Sequence, residues 1–201
     1  MLDDRVRSVL RRLEEEDARE EAAGNRLRER SLAIAPTSGA LLFALCSGQP
    51  GCEVLEIGGS RGYSTIWLGA AVRLLGGYVT SLEADPNKLA VSAANVADAG
   101  LADWVDILSG DAFDTLATLD GSYDVVFLDA WKNDYEALFN LVRPKLEPGS
   151  VVVADNVVSH RDTLGAYSAA RQSDPTLVSV TVPLDSGLEV TSVLTDWLHS
   201  V

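Results

Sequence analysis

Short apolar runs alternate with longer amphipathic segments along the chain from about residue 53 onward. Residues 54–57 form the first such run, and a glycine-rich turn and a segment of helical periodicity follow it. Apolar runs of about four to eight residues, bounded by turn residues, are typical of buried strands. Because strands and helices alternate, the pattern predicts a parallel sheet that is covered by helices on both faces.

The same alternation repeats until the last quarter of the chain, where two apolar runs flank a tight turn at Asp185-Ser186-Gly187. A glycine in such a turn predicts a hairpin, so one strand near the C-terminus must be antiparallel to the others. The predicted fold is an α/β, doubly wound sheet of seven mostly parallel strands with one antiparallel C-terminal strand. We expect strands at 54–57, 78–82, 105–108, 123–128, 150–154, 177–182 and 188–194, and helices at 63–75, 86–99 and 135–146.

The N-terminal thirty positions are heavily charged and differ from the rest of the chain. Four apolar residues recur there at helical spacing, so a helix is predicted from about residue 3 to residue 30. Their stripe packs either on the edge of the domain or on a second subunit, and the second alternative is the basis of a predicted homodimer. The stripe consists of Val6, Val9, Leu10 and Leu13.

Asn25 and Pro36 interrupt this segment, and a second helix is predicted at about 37–45. We therefore divide the chain into an N-terminal charged helical segment, residues 1–34, and a main domain, residues 35–201.

Charge and composition limit the classes of partner. The 201 residues carry a formal net charge of −14, and half of the 16 basic residues are arginines within the first thirty positions. The rest of the surface is strongly acidic and would repel phosphate backbones, so no nucleic-acid partner is expected. The chain contains no apolar run long enough to span a membrane and no secretory signal pattern, so we expect a cytoplasmic protein that binds a small molecule.

The first predicted strand leads into a loop that is rich in glycine. Gly58 and Gly62 would let the backbone approach a ligand closely, and Ser60 lies where a dehydrogenase fingerprint has its second glycine. A nicotinamide dehydrogenase is therefore disfavoured. The loop is predicted to contact a nucleoside-type cofactor together with the flanking Glu56 and Ser64, although a tight strand-to-helix connection would have the same pattern.

Acidic residues follow the second and third predicted strands. Glu83 could accept hydrogen bonds from both hydroxyls of a ribose, since Asp85 before Pro86 already supplies a helix cap. Asp111 or its neighbour Ala112 could meet an adenine edge, but a helix cap explains this position equally well. Three strand ends that converge on one nucleoside are a stronger indication than any one loop.

Candidate metal ligands follow the fourth and fifth predicted strands. Asp129, Asp155 and Asn156 should meet at one edge of a parallel sheet. Two carboxylates and an amide oxygen are suited to a hard cation such as Mg²⁺, Mn²⁺ or Ca²⁺, with positions left for water or substrate. Lys132 lies three residues beyond the first of these acids, where it could take a hydroxyl proton. The alternative is that these residues only cap loops.

The glycine loop and the acids at the strand ends resemble the class I S-adenosylmethionine-dependent methyltransferases over about residues 35–197. The resemblance implies a Rossmann-like fold and a methyltransferase domain at 35–201. It also implies that the glycine loop holds the amino-acid part of the cofactor and that the acid after the second strand holds the ribose. The cofactor contacts expected on this basis are Glu56, Gly58, Ser60, Gly62, Ser64, Glu83, Asp111, Ala112, Asp129 and Trp131.

The segment Asp129-Ala130-Trp131-Lys132-Asn133-Asp134-Tyr135 is most similar to the metal-dependent catechol and caffeoyl-coenzyme A O-methyltransferases. Ala154-Asp155-Asn156-Val157 matches the second metal-binding segment of that family. The resemblance implies that Asp129, Asp155 and Asn156 bind magnesium and that Lys132 is the general base. By the same resemblance, Glu189 in Ser186-Gly187-Leu188-Glu189 would bind a substrate hydroxyl, and Trp131 would line the acceptor pocket.

The predicted function is the transfer of a methyl group from S-adenosylmethionine to a hydroxyl of a catechol-like acceptor, assisted by a divalent metal. The loop after Asn156 is short, which disfavours a coenzyme A thioester and leaves the acceptor open. Two alternatives remain at this stage: a metal-independent small-molecule methyltransferase and a non-catalytic S-adenosylmethionine-binding protein.

Overall fold

The computed structural model describes residues 2–25 and 33–194, in which a central sheet lies between two layers of helices. Its strands occur in the chain order that the apolar runs predict, and helices separate the first five. The strands are β1 (Glu53–Ile57), β2 (Tyr78–Glu83), β3 (Val105–Ser109), β4 (Tyr123–Leu128), β5 (Leu146–Ala154), β6 (Leu177–Val182) and β7 (Leu188–Val193). The helices are α1 (Asp4–Ala22), α2 (Pro36–Cys46), α3 (Tyr63–Val72), α4 (Pro86–Asp98), α5 (Ala112–Thr118), α6 (Tyr135–Val142) and α7 (Arg161–Ser173).

The seven strands form one sheet in the order β3-β2-β1-β4-β5-β7-β6. Strands β1 to β5 pair in parallel, and β7 is antiparallel to both of its neighbours, β5 and β6. The prediction of a mostly parallel, doubly wound sheet with one antiparallel strand is therefore confirmed. The strand order reverses between β1 and β4, and ligands of such sheets bind beyond the carboxyl ends of the strands at that point.

Each face of the sheet packs against its own set of helices. Alternate residues of the central strands point to opposite faces, so Val125 and Phe127 lie in one core and Val126 and Leu128 in the other. Helices α1 to α4 contribute to the first core, and α5 to α7 contribute to the second. The central strands β1 and β4 are buried on both faces, which explains why their sequences are continuous apolar runs rather than alternating ones.

Helix α1 packs within its own chain. Its four stripe residues are between 0% and 7% exposed and belong to the same core as α3 and α4: Val6, Val9, Leu10 and Leu13. This corrects the interpretation on which the homodimer rested, because the stripe already has an intramolecular partner; the homodimer itself stays a prediction. The helix also ends earlier than predicted, at Ala22, ahead of Gly24 with φ of 69°. Residues 26–32 of the predicted helix lie outside the described residues.

Other boundaries and two helices differ from the prediction. Helix α6 ends at Val142, and a 3₁₀ turn at Arg143–Lys145 that contains Pro144 leads into β5, which begins at Leu146. Proline within the helical pattern removes a backbone donor and ends the helix. Helices α5 and α7 were not predicted, because α5 has only seven residues and α7 buries only Leu164, Tyr167 and Arg171, which do not form an apolar stripe. No helix among the described residues is long and apolar enough to cross a membrane.

Candidate functional site at the carboxyl edge of the sheet

The glycine loop between β1 and α3 lies directly beyond the reversal point of the sheet. Its backbone is held by β2, since the N–H groups of Gly58 and Gly59 both donate to the carbonyl oxygen of Leu82, at 3.0 and 3.1 Å. Three of its residues have left-handed backbone conformations, namely Gly58 (φ 100°), Ser60 (φ 47°) and Gly62 (φ 90°). The loop therefore turns sharply into α3 and leaves the amino end of that helix facing the edge of the sheet.

Gly58 also brings the β1 and β4 loops into contact. A Cβ atom at this position would overlap the backbone carbonyl oxygen of Asp129, and its positive φ would be strained for any other residue. Since Asp129 follows β4, the glycine loop and the first predicted metal ligand are immediate neighbours in the structure.

Glu83 lies at the end of β2 beside the glycine loop. Its Oε2 accepts a hydrogen bond from the backbone N–H of Ser60 at 2.7 Å, and its Oε1 accepts one from the N–H of Asp85 at 2.8 Å. Both bonds hold the carboxylate at the carboxyl edge of the sheet, which is where the ribose contact was predicted. The ribose contact itself stays a prediction.

The third loop adjoins the second. Gly110 N–H donates to the carbonyl oxygen of Glu83 at 3.2 Å, which brings Asp111 close to the β2 end. The Asp111 side chain accepts from Phe113 N–H at 2.8 Å and caps α5, whose first residue is Ala112. The capping alternative therefore describes the Asp111 side chain, and an adenine contact from these two residues stays a prediction.

Glu56 is fully buried beneath the glycine loop. Its Oε2 accepts hydrogen bonds from the hydroxyls of Thr65 and Ser81, while Oε1 has no protein partner. Burial raises the pKa of this carboxyl, and the hydroxyls of Ser64, Ser81 and Thr65 oppose the rise. The structure therefore places Glu56 in a supporting position behind the loop.

Asp129 and Lys132 form an ion pair after β4. The Lys132 Nζ donates to Asp129 Oδ1 at 2.7 Å and to the Tyr135 hydroxyl at 3.1 Å. The Tyr135 side chain is fully buried, and its hydroxyl donates to the backbone carbonyl of Asp155 at 3.1 Å. Tyr135 thus links the β4 loop with the β5 loop, a connection that the sequence pattern did not indicate.

Asp155 is a buried acid that faces a like charge. It is 3% exposed, and burial together with the negative charge of Asp129 raises its pKa to about 6. Three donors hold its carboxylate: the N–H of Asn156 at 2.7 Å, the Ser186 hydroxyl at 2.8 Å and the Asn156 side-chain amide at 3.2 Å. Asn156 itself has φ of 67°, a left-handed conformation that asparagine tolerates better than most residues.

The donor chemistry of this cluster fits a hard divalent cation. No group of three or more His, Cys, Asp or Glu side chains that could hold a metal occurs within residues 2–25 and 33–194. The predicted site instead combines two carboxylates, from Asp129 and Asp155, with the amide of Asn156. Asp129 raises the pKa of Asp155, so the two carboxylates are close enough to repel, and a cation between such groups would relieve the repulsion.

Glu189 of β7 pairs in the sheet with Ala154, the residue directly before Asp155. Its carboxylate is fully buried and accepts hydrogen bonds from the Gln172 amide and from the hydroxyls of Ser179 and Thr181, at 2.6 to 2.9 Å. These partners belong to α7 and β6, because the register of β7 directs Leu188 to one face of the sheet and Glu189 to the other. The described contacts therefore make Glu189 a link between the hairpin and α7, and its contact with a substrate hydroxyl stays a prediction.

Two large apolar side chains near the acidic cluster are exposed. Trp131 is 69% exposed two residues after Asp129, and Val158 is 48% exposed two residues after Asn156. A Cβ at Gly187 of the hairpin turn would overlap Val158, so the turn packs tightly on this loop. Exposed apolar side chains beside polar groups are typical of a binding surface for an aromatic molecule.

A small cavity, with room for about one water molecule, lies over the glycine loop. Leu13 of α1 and Ile34, which precedes α2, line it together with Gly58, Ser64 and Asp129. The apolar stripe of α1 was the only sequence signal at Leu13, and it could not distinguish the wall of a cavity from the core.

A family model described as "Methyltransferase domain" matches residues 55–157, the stretch from β1 to the loop that carries Asp155 and Asn156. The chain is 37% identical to a catechol O-methyltransferase of Niastella koreensis over 144 residues, which are 68% of this chain and 65% of that protein. It is 38% identical to the catechol O-methyltransferase of Mycobacterium tuberculosis over 128 residues, which are 63% of this chain and 58% of that protein. The matched part of the chain thus spans less than two thirds of the length of either relative.

Among solved structures, the O-methyltransferase from Bacillus cereus in complex with S-adenosylhomocysteine (SAH) superposes with a TM-score of 0.78. The sequences are 27% identical, and the superposition covers 92% of this chain and 90% of the other. The similarity therefore extends beyond the residues of the family model to both ends of the sheet.

Proposed function

The chain belongs to the class I S-adenosylmethionine-dependent O-methyltransferases, and from this premise we propose that it methylates a hydroxyl of a small, catechol-like acceptor with the help of a divalent metal. The observation that carries the proposal is the contact between two loops. Gly58 of the glycine loop packs against the carbonyl of Asp129, so the predicted cofactor loop adjoins the cluster of Asp129, Lys132, Asp155 and Asn156. A methyl donor and a hydroxyl acceptor have to meet at such a junction.

The glycine loop and Glu83 would bind the methyl donor. The loop presents backbone N–H groups at the start of α3, where the helix dipole favours the carboxylate of the donor's amino-acid part. The Glu83 carboxylate is held by two backbone amides at the edge of the sheet, where it can accept hydrogen bonds from ribose hydroxyls. Both groups hold the donor in place, and neither takes part in the transfer.

Asp129, Asp155 and Asn156 would hold the divalent metal. When bound, the metal supplies Lewis acidity and a template for two vicinal hydroxyls of the acceptor. The three residues are fixed for this role by their surroundings, since Ser186 and Asn156 orient the Asp155 carboxylate and Tyr135 connects the two loops. Catechols fit this arrangement because their two adjacent oxygens can share one cation.

Lys132 in its neutral amine form would accept the proton of the hydroxyl that is methylated, so the ammonium that pairs with Asp129 has to lose a proton to solvent first. Its Nζ is oriented by Asp129 and by the Tyr135 hydroxyl, and its side chain is 21% exposed. An amine in this position has to be within hydrogen-bond reach of the substrate hydroxyl to act as a base. The acceptor oxygen then attacks the methyl carbon opposite the leaving sulfur, and holding the two reactants in line supplies much of the acceleration.

The test is methyl transfer from S-adenosylmethionine to a panel of catechols, with products identified by mass spectrometry. We expect product with Mg²⁺, a loss of product with a chelator and recovery on adding Mg²⁺ back. Asp155→Ala should lose activity in the presence of Mg²⁺ while retaining SAH binding in calorimetry.

The other outcomes distinguish the alternative functions. Product that is unaffected by the chelator would contradict the role of the metal and leave a metal-independent methyltransferase. SAH binding without product on any catechol, with Mg²⁺ present, would contradict the catechol-like acceptor and favour another acceptor class or a non-catalytic cofactor-binding protein. A wild-type chain that binds neither SAH nor S-adenosylmethionine would contradict the proposal as a whole.

A further inference from the structure

Helix α1 lies antiparallel to α3 and extends to the glycine loop. At one end, Asp3 before α1 pairs with Arg73 after α3, with 2.6 Å between Oδ2 and Nη2. Further along, Glu14 accepts a hydrogen bond from the hydroxyl of Tyr63, the first residue of α3, at 2.6 Å. Near its other end, Glu20 pairs with Arg61 of the glycine loop, with 2.5 Å between Oε1 and Nη1. Two carboxylates of α1 thus hold the point where the glycine loop becomes α3.

A second connection runs from α1 to the backbone of the same loop. The side-chain amide of Asn95, which is 3% exposed in α4, donates to the carbonyl oxygen of Arg61 at 2.8 Å. The Asn95 Oδ1 in turn accepts a hydrogen bond from Nη2 of Arg12 in α1, at 2.9 Å. The backbone and the side chain of Arg61 are therefore both tied to α1, one through Asn95 and one directly.

The glycine loop is a segment for which such support matters. Ser60 has φ of 47° and Gly62 has φ of 90°, conformations that a flexible chain seldom adopts together. The Ser60 N–H is held on one side by Glu83, and Arg61 is held on the other side by α1. A loop that is held in its ligand-binding conformation before binding loses less conformational freedom when the ligand arrives, which raises affinity.

Helix α1 also contributes directly to the cavity over the loop. Leu13, the residue before Glu14, is 1% exposed and lines this small cavity together with Gly58 and Ser64. Helix α1 thus contacts the glycine loop region through an apolar residue as well as through its carboxylates.

We propose that α1 is an integral part of the cofactor site, and that Glu14 and Glu20 are positioning residues that act on the cofactor through Tyr63 and Arg61. Docking of α1 and binding of the cofactor are then coupled, and each favours the other. This inference rests on the proposed function only in taking SAH as the ligand of the glycine loop.

The first measurement is SAH affinity by isothermal titration calorimetry, on the full chain and on Glu20→Ala, Glu14→Ala and the double variant, since alanine removes the acceptor atoms that Tyr63 and Arg61 use. We expect the dissociation constant to rise about fivefold or more in the double variant, at the lower end of typical coupling between sites. Arg73→Ala is the matched control, because it removes an ion pair of α1 at the end away from the glycine loop. Its dissociation constant should stay within about twofold of wild type, although its thermal midpoint should fall as in Glu20→Ala.

The second measurement is amide hydrogen exchange of α1 with and without saturating SAH. Coupling is reciprocal, so SAH should slow exchange in residues 4–22 of the wild type, and slow it less in the double variant. SAH affinity of the double variant within twofold of wild type, or exchange in α1 unchanged by SAH, would overturn this inference alone. Failure of the wild type to bind SAH would overturn the proposed function and this inference with it.

Discussion

Two regions of the site are stabilised in opposite ways. The cofactor half consists of the glycine loop at 58–62 and Glu83. Two backbone N–H groups of the chain donate hydrogen bonds to the Glu83 carboxylate. The acceptor half consists of Asp129, Lys132, Asp155 and Asn156. It brings two carboxylates together, buries one of them and raises its pKa to about 6.

The difference indicates what each half contributes. The cofactor half depends on backbone shape, and its Glu83 carboxylate is hydrogen-bonded by the chain without a ligand. The acceptor half stores an unfavourable interaction between like charges, which a protein retains where the charges have a chemical role. Changes to shape should therefore damage cofactor binding, whereas changes to charge should damage the reaction and can increase stability.

The largest expected effect comes from removing a carboxylate of the acceptor half. Asp155→Ala should reduce the rate of methyl transfer roughly 100-fold or more, because the metal loses a ligand while the glycine loop is unchanged. Initial rates with Mg²⁺ and SAH affinity by calorimetry would be measured on the same preparation. A loss of SAH affinity as large as the loss of rate would mean that the two halves are not separable.

A change of backbone shape in the cofactor half should have the next largest effect. In Gly58→Ala the new Cβ overlaps the Asp129 carbonyl at φ of 100°, so we expect the free energy of unfolding to fall by about 1–3 kcal/mol. The dissociation constant for SAH should rise by roughly tenfold or more. The loop has to shift to make room for the new Cβ, and its hydrogen bonds to the ligand depend on its position.

Gly51→Ala is the control for this change. Gly51 also has a positive φ, 67°, but a Cβ there meets no atom within 4 Å. This variant should lose about 1 kcal/mol through backbone strain and bind SAH normally. Equal SAH affinity in both alanine variants would contradict the role given to Gly58.

The combined cost of burying Asp155 and of placing it near Asp129 can be measured through its pH dependence. The pKa of Asp155 is raised from 3.8 to about 6 in the folded protein, so the folded state holds this proton more tightly than the unfolded state. Its contribution to stability is therefore present at low pH and is lost as the pH rises from about 4 to about 6. In metal-free Asp155→Asn, the free energy of unfolding should lack this decline, which is on the order of 3 kcal/mol.

Urea unfolding in the presence of a chelator, at pH values on both sides of this window, would test the prediction. If the free energy of unfolding changes with pH in the same way in the wild type and in Asp155→Asn, the expected decline does not come from Asp155, and the prediction is contradicted.

The smallest expected effect concerns the connection of the acceptor half to α2. The hydroxyls of Thr37 and Ser38 both donate to Oδ2 of Asp185 in the hairpin turn, whose next residue, Ser186, holds Asp155. Ser38→Ala should cost about 1 kcal/mol of unfolding free energy and raise KM for the acceptor, with SAH affinity unchanged. Thr118→Ala, which removes an exposed hydroxyl bonded within its own helix, is the control and should cost less than about 0.5 kcal/mol.

Local patterns were sufficient for much of the fold. The seven strands were predicted because each is a short apolar run, and the antiparallel strand was predicted because Gly187 marks a tight turn. Once the strands are parallel, the end of each strand is known, so the sequence alone assigns Gly58, Glu83, Asp129 and Asp155 to one edge of the sheet. The helix boundaries were less accurate, because the predicted helices continued past Gly24 and Pro144, whereas in the structure α1 and α6 end before these residues.

Side-chain direction was harder to predict than position. Glu189 has the expected sequence context, and its carboxylate bonds Ser179, Thr181 and Gln172 of α7, partners that the motif did not indicate. A strand residue faces one side or the other according to a pairing register that no short motif contains. Asp111 illustrates the same limit, because an acid after a strand can cap a helix or contact a ligand with the same sequence around it.

The sequence by itself determined the order of the strands and helices, the loops that carry chemistry and the kinds of side chain at the edge of the sheet, because these depend on periodicity and chain direction. Only the tertiary structure decided that α1 reaches the glycine loop through Glu14 and Glu20, and that Asp155 is buried against a like charge. Glu20 and Arg61 are 41 positions apart, and the pKa of Asp155 depends on which atoms surround it. Contacts and solvation of this kind arise from packing in three dimensions.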